Sequence, residues 1–174
     1  MSMIPIYRHP SLTVLIDDSD NFLRSLSFQL DPTLASKAFH DTRSALDWLC
    51  SHAGATAEPD HALSASYDLY PTRAPQCGVA LDIDQIHRIA FQSKRFMTPS
   101  VLVVDYSMPQ MNGVELCEAV RHLPCKKILF TGAADEKVAV DAFNRGLIDR
   151  YIKKSDADAL DRLEAEIHTL QLDY

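Results

Sequence analysis

The sequence predicts a doubly wound α/β fold in which helices cover both faces of a five-stranded parallel sheet. Short apolar stretches alternate along the chain with stretches whose apolar residues recur at helical spacing. The stretch "VLVVD", residues 101–105, is apolar on both faces of the strand, which is typical of a parallel sheet buried on both sides. Polar residues directly follow several of the apolar stretches, so they are expected at the carboxyl edge of the sheet.

The first half of the chain contributes two strand-and-helix pairs. "LTVLIDD" is the first strand, and the following "SDNFLRSLSFQL" has an amphipathic helical pattern with either Ser19 or Asp20 as its N-cap. The second pair is the weaker strand "SKAFH" and the helix "TRSALDWLC", with Leu46 and Leu49 on its predicted buried side.

The second half contributes three more pairs and completes the five strands. "VLVVD" leads into the helix "GVELCEAVRHL", and "KKILFTG" leads into the helix "DEKVAVDAFNRG", which Gly146 terminates. The last strand is "RYIKK". The last helix is "SDADALDRLEAEIHTLQL", and its apolar stripe runs from Leu160 to Leu170.

Residues 51–100 interrupt this alternation. A connection from a helix to a strand normally takes a handful of residues, so about forty residues here are an insertion within a single domain that spans residues 1–174. The insertion begins with a stretch rich in Ala, Pro and Ser and ends with "LDIDQIHRIAFQSKRF", whose apolar residues share one helical face. We expect a mobile loop followed by a helix.

The composition narrows the class of function. Hydrophobic residues make up 47% of the chain and charged residues 24%, and no apolar run approaches the roughly 20 residues needed to cross a membrane. The N-terminus has no signal-peptide pattern, which favours the cytoplasm. A formal net charge of -7 argues against direct binding to nucleic acid, because phosphate contacts need clustered Lys and Arg.

The polar residues after the strands predict a phosphoryl site. Ligands of open α/β sheets bind outside the carboxyl ends of the strands. Three acids brought together there would repel unless a cation lay among them, and oxygen ligands suit Mg²⁺. A hydroxyl and an ammonium beside the metal would complete a cradle for phosphate, with the acid of the central strand as nucleophile. The residues at these ends are Asp17, Asp18, Asp105, Thr131, Lys153 and Lys154.

Four motifs in strand order resemble those of the receiver domain of two-component response regulators, the CheY-like family. They are the acid pair after the first strand, the loop "DYSMPQMNG", the "FTG" and the "YIKKS". The resemblance covers about residues 11–50 and 101–172. It implies a flavodoxin-like sheet with the order 2-1-3-4-5, and it implies a domain that takes a phosphoryl group from a histidine kinase and then switches its interaction surface.

Carried over to this chain, the resemblance implies a role for each motif residue. Asp105 would be the phosphoacceptor and also a ligand of Mg²⁺. Asp18 would bind Mg²⁺ directly, Asp17 would bind it through water, and the backbone carbonyl of Ser107 would be the remaining ligand. Thr131 would hydrogen-bond a phosphoryl oxygen.

The phosphate-binding lysine has two candidates. Counted from the aromatic Tyr151, Lys154 matches the family position, whereas counted from Gly146, Lys153 does. We choose Lys154, because the strand around the aromatic is the better anchor, and Tyr151 then matches the switch aromatic of the family. Ser155 stands where the family usually has proline, so it is expected either to keep a trans bond or to cap the last helix.

The resemblance also implies partners: a histidine kinase or phosphotransfer protein, a downstream effector protein or output domain, and a homodimer partner at the last helix. No membrane partner is expected. The domain would not be an enzyme beyond accepting phosphate from small phosphodonors and releasing it. One alternative is a pseudo-receiver that binds proteins without phosphorylation. The other is a haloacid-dehalogenase-like phosphatase, which needs an acid where Ser107 stands.

Overall fold

Seven strands and five helices are present in the computed structural model, which describes residues 11–52, 63–67, 77–81, 97–132 and 136–172. The strands are β1 Leu12–Ile16, β2 Ser36–Phe39, β3 Leu63–Tyr67, β4 Cys77–Leu81, β5 Pro99–Val104, β6 Lys126–Thr131 and β7 Arg150–Lys153. The helices within the described ranges are α1 Asp20–Gln29, α2 Thr42–His52, α3 Gly113–Ala119, α4 Glu136–Asn144 and α5 Ala159–Leu172.

Five of the strands form one parallel sheet in the order β2-β1-β5-β6-β7. This is the predicted order 2-1-3-4-5, and the flavodoxin-like fold is confirmed. Every residue of β1 and of β5 is buried. These strands lie inside the sheet and have helices on both faces, which explains why their sequences are apolar without alternation.

The helices divide between the two faces of the sheet. Buried residues of α2, α3 and α4 pack on one face, and buried residues of α1 and α5 pack on the other. The alternation along β5 shows the division, because Leu102 and Val104 belong to the first core and Val101 and Val103 to the second. The described helices thus cover both faces of the sheet, and in such folds a ligand binds at the carboxyl edge of the strands.

The helix ends test several predictions. Ser19 is the N-cap of α1, and its side chain accepts a hydrogen bond from the backbone N–H of Phe22. Gly146 lies just beyond α4 with a φ of 67°, the left-handed conformation expected of a helix stop. The expectation that Ser155 caps the last helix is wrong, because α5 begins at Ala159. The described residues contain no cis peptide bond, so Ser155 follows a trans bond.

Part of the predicted insertion forms a separate structure. β3 and β4 pair antiparallel, from Leu63 opposite Leu81 to Tyr67 opposite Cys77, and they form a two-stranded sheet of their own. The expectation of a loop over this stretch is therefore wrong. The alternation of apolar and polar residues in "LSASY" is the strand signal that the Ala- and Ser-rich composition concealed. The helix predicted toward the end of the insertion lies outside the described residues.

The loop after β5 depends on a glycine. A Cβ built at Gly113 would lie 2.2 Å from the backbone carbonyl oxygen of Asp105, far closer than atoms can approach. The backbone fixes the positions of both the Cβ and the carbonyl oxygen, so no side-chain rotation relieves the clash. Gly113 therefore sets how closely α3 approaches the end of β5.

We expect Gly113→Ala to lower the free energy of unfolding by about 3 kcal/mol or more, because the clash forces a backbone shift. Gly146→Ala is the control. A Cβ at Gly146 meets nothing within 4 Å, so its cost is only that of the left-handed conformation, about 1 to 2 kcal/mol. Urea denaturation of both variants measures the difference. Equal losses would show that the loop accommodates the added methyl group.

Candidate functional site

Neighbouring strands bring three acids to one point at the carboxyl edge of the sheet. Ile16, the last residue of β1, pairs in register with Val104, the last residue of β5. Asp17 and Asp105 follow these two residues, and the N–H of Asp105 donates to the carbonyl of Ile16 at 2.8 Å. One carboxylate oxygen from each of Asp17, Asp18 and Asp105 lies within 4.8 Å of the other two.

The three acids differ in their surroundings. Asp17 is 4% exposed and Asp105 is 6% exposed, whereas Asp18 is open to solvent. Asp17 accepts a hydrogen bond from the N–H of Ser19 at 2.9 Å, which orients its carboxylate at the start of α1. Two carboxylates are thus buried side by side, and burial of charge is costly unless a partner of opposite charge is present.

Lys154 supplies that charge. Its Nζ lies 2.5 Å from Oδ2 of Asp17 and 2.9 Å from Oδ1 of Asp105. Lys153 does not reach the acids, because its Nζ forms an exposed ion pair with Glu136 at 2.8 Å. Lys153 is the last residue of β7 and Lys154 follows it in a turn, where its side chain is directed toward the acids. The structure brings together Lys154, and not Lys153, with the predicted acids.

The burial of this cluster affects its protonation. Burial raises the pKa of the Asp105 carboxyl, against the lowering effect of the Lys154 ammonium, and the charge of Asp17 raises it further. Burial by itself would lower the pKa of Lys154, but its hydrogen bonds to Asp17 and Asp105 outweigh burial, and the pKa lies above its usual value. Lys154 is therefore charged at neutral pH, and Asp105 is a more basic carboxylate than an exposed aspartate.

The remaining predicted residues lie on β6, on β7 and in the loop after β5. Thr131 is fully buried at the end of β6, the neighbour of β5, and its carbonyl accepts the N–H of Lys154 at 2.8 Å. Tyr151 lies on β7, pairs in register with Leu129, and packs half-buried against the core beneath α2, α3 and α4. Ser107 is exposed in the loop two residues after Asp105. Their roles stay predictions.

Sequence reasoning missed one side chain at this site. Phe22 lies on the first turn of α1, where the amphipathic pattern of the sequence predicts only a core residue. Its ring lies under the ammonium of Lys154, with Nζ 4.5 Å from the ring centroid. No sequence signal separates an aromatic residue that packs in the core from one that also faces a cation, because both occupy the same helical face.

The donor set suits a hard divalent cation. Carboxylate oxygens from three residues converge within the span that one ion can bridge, and oxygen donors without sulfur or imidazole favour Mg²⁺ or Ca²⁺ over transition metals. The acids also outnumber the ammonium groups in contact with them, so an added cation would relieve their repulsion. The cluster of Asp17, Asp18 and Asp105 therefore fits Mg²⁺.

A comparison with known families identifies the family. The sequence model of the response regulator receiver domain matches residues 76–164. The chain belongs to the response regulator receiver family. The match begins inside the predicted insertion and does not include β1, so the receiver assignment of Asp17 and Asp18 depends on the geometry above rather than on this match.

Solved structures of receiver domains have the same fold. The Legionella pneumophila response regulator LqsR is 40% identical over 96% of this chain, with a TM-score of 0.74, and this chain spans 45% of that chain. A response regulator receiver domain protein from Clostridium thermocellum is 15% identical, with 92% of this chain and 94% of that chain covered and a TM-score of 0.59.

An adenylate cyclase from Rhodopirellula baltica is also similar in structure. It is 19% identical, with 96% of this chain and 91% of that chain covered and a TM-score of 0.61. At this identity the likeness, like that to the Clostridium protein, shows the receiver fold alone. No curated protein sequence matches the chain. Among the described helices, none has the length and apolar character required to cross a membrane.

The raised pKa of Asp105 predicts a pH-dependent stability. A carboxyl whose pKa is raised in the folded state stabilises the fold fully only below its unfolded pKa of about 3.9, and this contribution is lost as the pH rises through the folded value. Asp105→Asn avoids the burial of charge, so we expect this variant to be more stable than the wild type at pH 7, with the gain shrinking as the pH falls through the raised folded pKa and lost below about 3.9.

Unfolding by urea at a series of pH values measures this difference. Asp47→Asn, at an exposed position of α2, is the control and should change stability little at any pH. Lower stability of Asp105→Asn at pH 7 would show that the contact with Lys154 outweighs the cost of burying the carboxylate.

Proposed function

We propose that this receiver domain accepts a phosphoryl group from a histidine kinase or phosphotransfer protein on Asp105. The observation that supports this most directly is the contact of the Lys154 ammonium with both Asp17 and Asp105 at the carboxyl edge of the sheet. A structural ion pair needs only one carboxylate, whereas a site that handles phosphate needs an excess of acids for a metal and a cation for the phosphate oxygens.

In the proposed reaction an Oδ atom of Asp105 attacks the phosphorus of the phosphohistidine. The new P–O bond makes an acyl phosphate, the P–N bond breaks, and its electron pair stays on the imidazole nitrogen. The raised pKa of Asp105 favours attack, because a more basic carboxylate is the better nucleophile. Asp18, Asp105 and the carbonyl of Ser107 would hold Mg²⁺ directly and Asp17 would hold it through water, and the ion would supply positive charge beside the phosphoryl oxygens.

Lys154 stabilises the negative charge that develops on the phosphoryl oxygens during this step. The ammonium is bonded to one oxygen of Asp105 before phosphorylation, so it lies within a short movement of any phosphoryl oxygen attached to that carboxylate. Its raised pKa keeps it charged throughout. The interaction becomes stronger as negative charge collects on the transferred group, which is the requirement for stabilising a transition state.

The proposed switch links Thr131 to Tyr151. Thr131 ends β6 beside Asp105, and in the phosphorylated state its hydroxyl donates to a phosphoryl oxygen. Tyr151 on the adjacent strand β7 is half-buried, so its ring can take an inward or an outward position at small cost. Phosphorylation then needs to favour one position by only a few kcal/mol to change which surface a partner meets.

The wider assignments extend this proposal. Residues 1–174 form one receiver domain, and residues 51–100 are the insertion within it, which includes the β3–β4 pair. The partners are the phosphodonor protein, a downstream effector protein or output domain, and a second copy of the chain along α5. The protein acts in the cytoplasm and has no enzymatic reaction apart from accepting and losing its phosphoryl group.

The proposal predicts a single phosphoryl adduct on Asp105. We expect the wild-type protein to gain one phosphoryl group in intact-mass spectrometry after incubation with acetyl phosphate and Mg²⁺, and to gain none when EDTA is added. Asp105→Asn should gain none, because the amide is not a nucleophile. An adduct on Asp105→Asn would place the chemistry elsewhere, and no adduct on the wild type would favour the pseudo-receiver.

The two lysines provide a matched pair of variants. Loss of a hydrogen bond between charged groups costs about 1.5 to 3 kcal/mol, so we expect Lys154→Ala to slow adduct formation by about tenfold or more. Lys153→Ala removes only the exposed pair with Glu136, so it should stay within about twofold of the wild type. The initial rate of adduct formation measures both. Similar rates for the two variants would contradict the assignment of Lys154.

A further inference from the structure

The Lys154 ammonium contacts two carboxylates and lies over two aromatic rings, of which Phe22 is the nearer and Phe130, 5.9 Å from Nζ to its centroid, the more distant. An ammonium carries three N–H groups. Two of them are directed to the carboxylates of Asp17 and Asp105, and the face of the Phe22 ring lies 4.5 Å from Nζ, measured to the ring centroid. This distance is well inside the roughly 6 Å within which a cation is attracted by the negative face of an aromatic ring.

The Phe22 ring is itself held in place. It packs against Phe130 with 5.7 Å between ring centroids and 35° between ring planes, and Phe130 is a buried residue of β6. The backbone N–H of Phe22 donates to Oγ of the N-cap Ser19 at 3.3 Å. The ring is therefore fixed both by the first turn of α1 and by the sheet, and it is half-buried beside the acids.

A lysine at this position needs such a support. Its four-carbon stem is flexible. The three acids lie close together, so the ammonium could pair with carboxylate oxygens other than those beside the phosphoacceptor. We propose that Phe22 is a positioning residue that holds the Lys154 ammonium beside Asp105 through its ring face. This inference rests on the proposed phosphoacceptor function, and it adds a residue of α1 to the groups that the reaction depends on.

The ring face, rather than the bulk of the side chain, carries the effect. A leucine at position 22 would still pack against Phe130, but an aliphatic group has no negative face for the ammonium. Replacing the Phe22 ring by an aliphatic group of similar size therefore removes the nearer ring face from the ammonium and keeps the side chain's bulk.

The first experiment measures the rate of Asp105 phosphorylation by acetyl phosphate with Mg²⁺. We expect Phe22→Leu to lower the rate by about three- to tenfold, the range that a cation–π contact of ordinary strength gives. Phe22→Tyr keeps the ring and should restore most of the rate. Phe28→Leu changes a phenylalanine of the same helix that is 95% exposed, and it should match the wild type.

A double variant separates positioning from packing. If Phe22 acts through Lys154, Phe22→Leu will lower the rate no further in a Lys154→Ala background. Replacement of Phe22 by phenylalanines with increasing numbers of ring fluorines keeps the shape and weakens the negative face, so the rate should fall stepwise with fluorine number. A wild-type rate in Phe22→Leu, or an undiminished loss in the Lys154→Ala background, would overturn the proposal.

A measurement without phosphate distinguishes failure of this inference from failure of the proposed function. Urea unfolding of the wild type, Phe22→Leu, Lys154→Ala and the double variant gives the coupling between the two side chains. We expect a favourable coupling at pH 7. A coupling free energy of zero would overturn the proposed contact between Phe22 and Lys154, whatever the phosphorylation result. A clear coupling in a protein that forms no adduct would contradict the phosphoacceptor function alone.

Discussion

Two carboxylates buried side by side are the constraint on which the site depends. Asp17 and Asp105 follow adjacent, in-register strands at the centre of the sheet, and neither can move away without breaking that pairing. Their repulsion has to be offset from elsewhere in the fold. Lys154 does so from beyond the end of β7, two strands from β5, a distance that a long side chain can cross. The sheet order and the length of lysine are thus matched to each other.

The same constraint explains features that look unrelated in the sequence. Gly113 lies against the carbonyl of Asp105, so the loop after β5 folds back tightly and α3 begins directly beside the site. Ser19 both caps α1 and donates its N–H to Asp17, which joins the start of a helix to the orientation of a buried acid. Gly113 and Ser19 therefore both help to fix the positions of the charged groups at the edge of the sheet.

The fold was largely readable from the sequence, and the limits have physical causes. Strands buried on both faces can be recognised by their apolar composition, but the order of the strands in the sheet was predicted only from the family resemblance. "LSASY" was missed because its alternation is carried by small residues. Spacing does not distinguish Lys153 from Lys154, because the two are adjacent and the sequence does not show at which of them the strand ends. The distances to Asp105 and Glu136 distinguish them.

The contact between Lys154 and Phe22 matters because the Lys154 ammonium and a divalent metal ion would compete for the same carboxylates. Lys154 Nζ lies against the same carboxylates, those of Asp17 and Asp105, that a divalent ion would use. A metal and the ammonium cannot both take the full attraction of these oxygens, so metal binding would weaken both carboxylate contacts of Lys154. Metal binding does not affect the contact between the Lys154 ammonium and the ring face of Phe22. Mg²⁺ prefers oxygen ligands, so it does not compete with the ammonium for an uncharged ring. In the proposed mechanism the ring therefore keeps the ammonium within reach of Asp105 during the interval between its release by the carboxylates and the arrival of the phosphoryl oxygens.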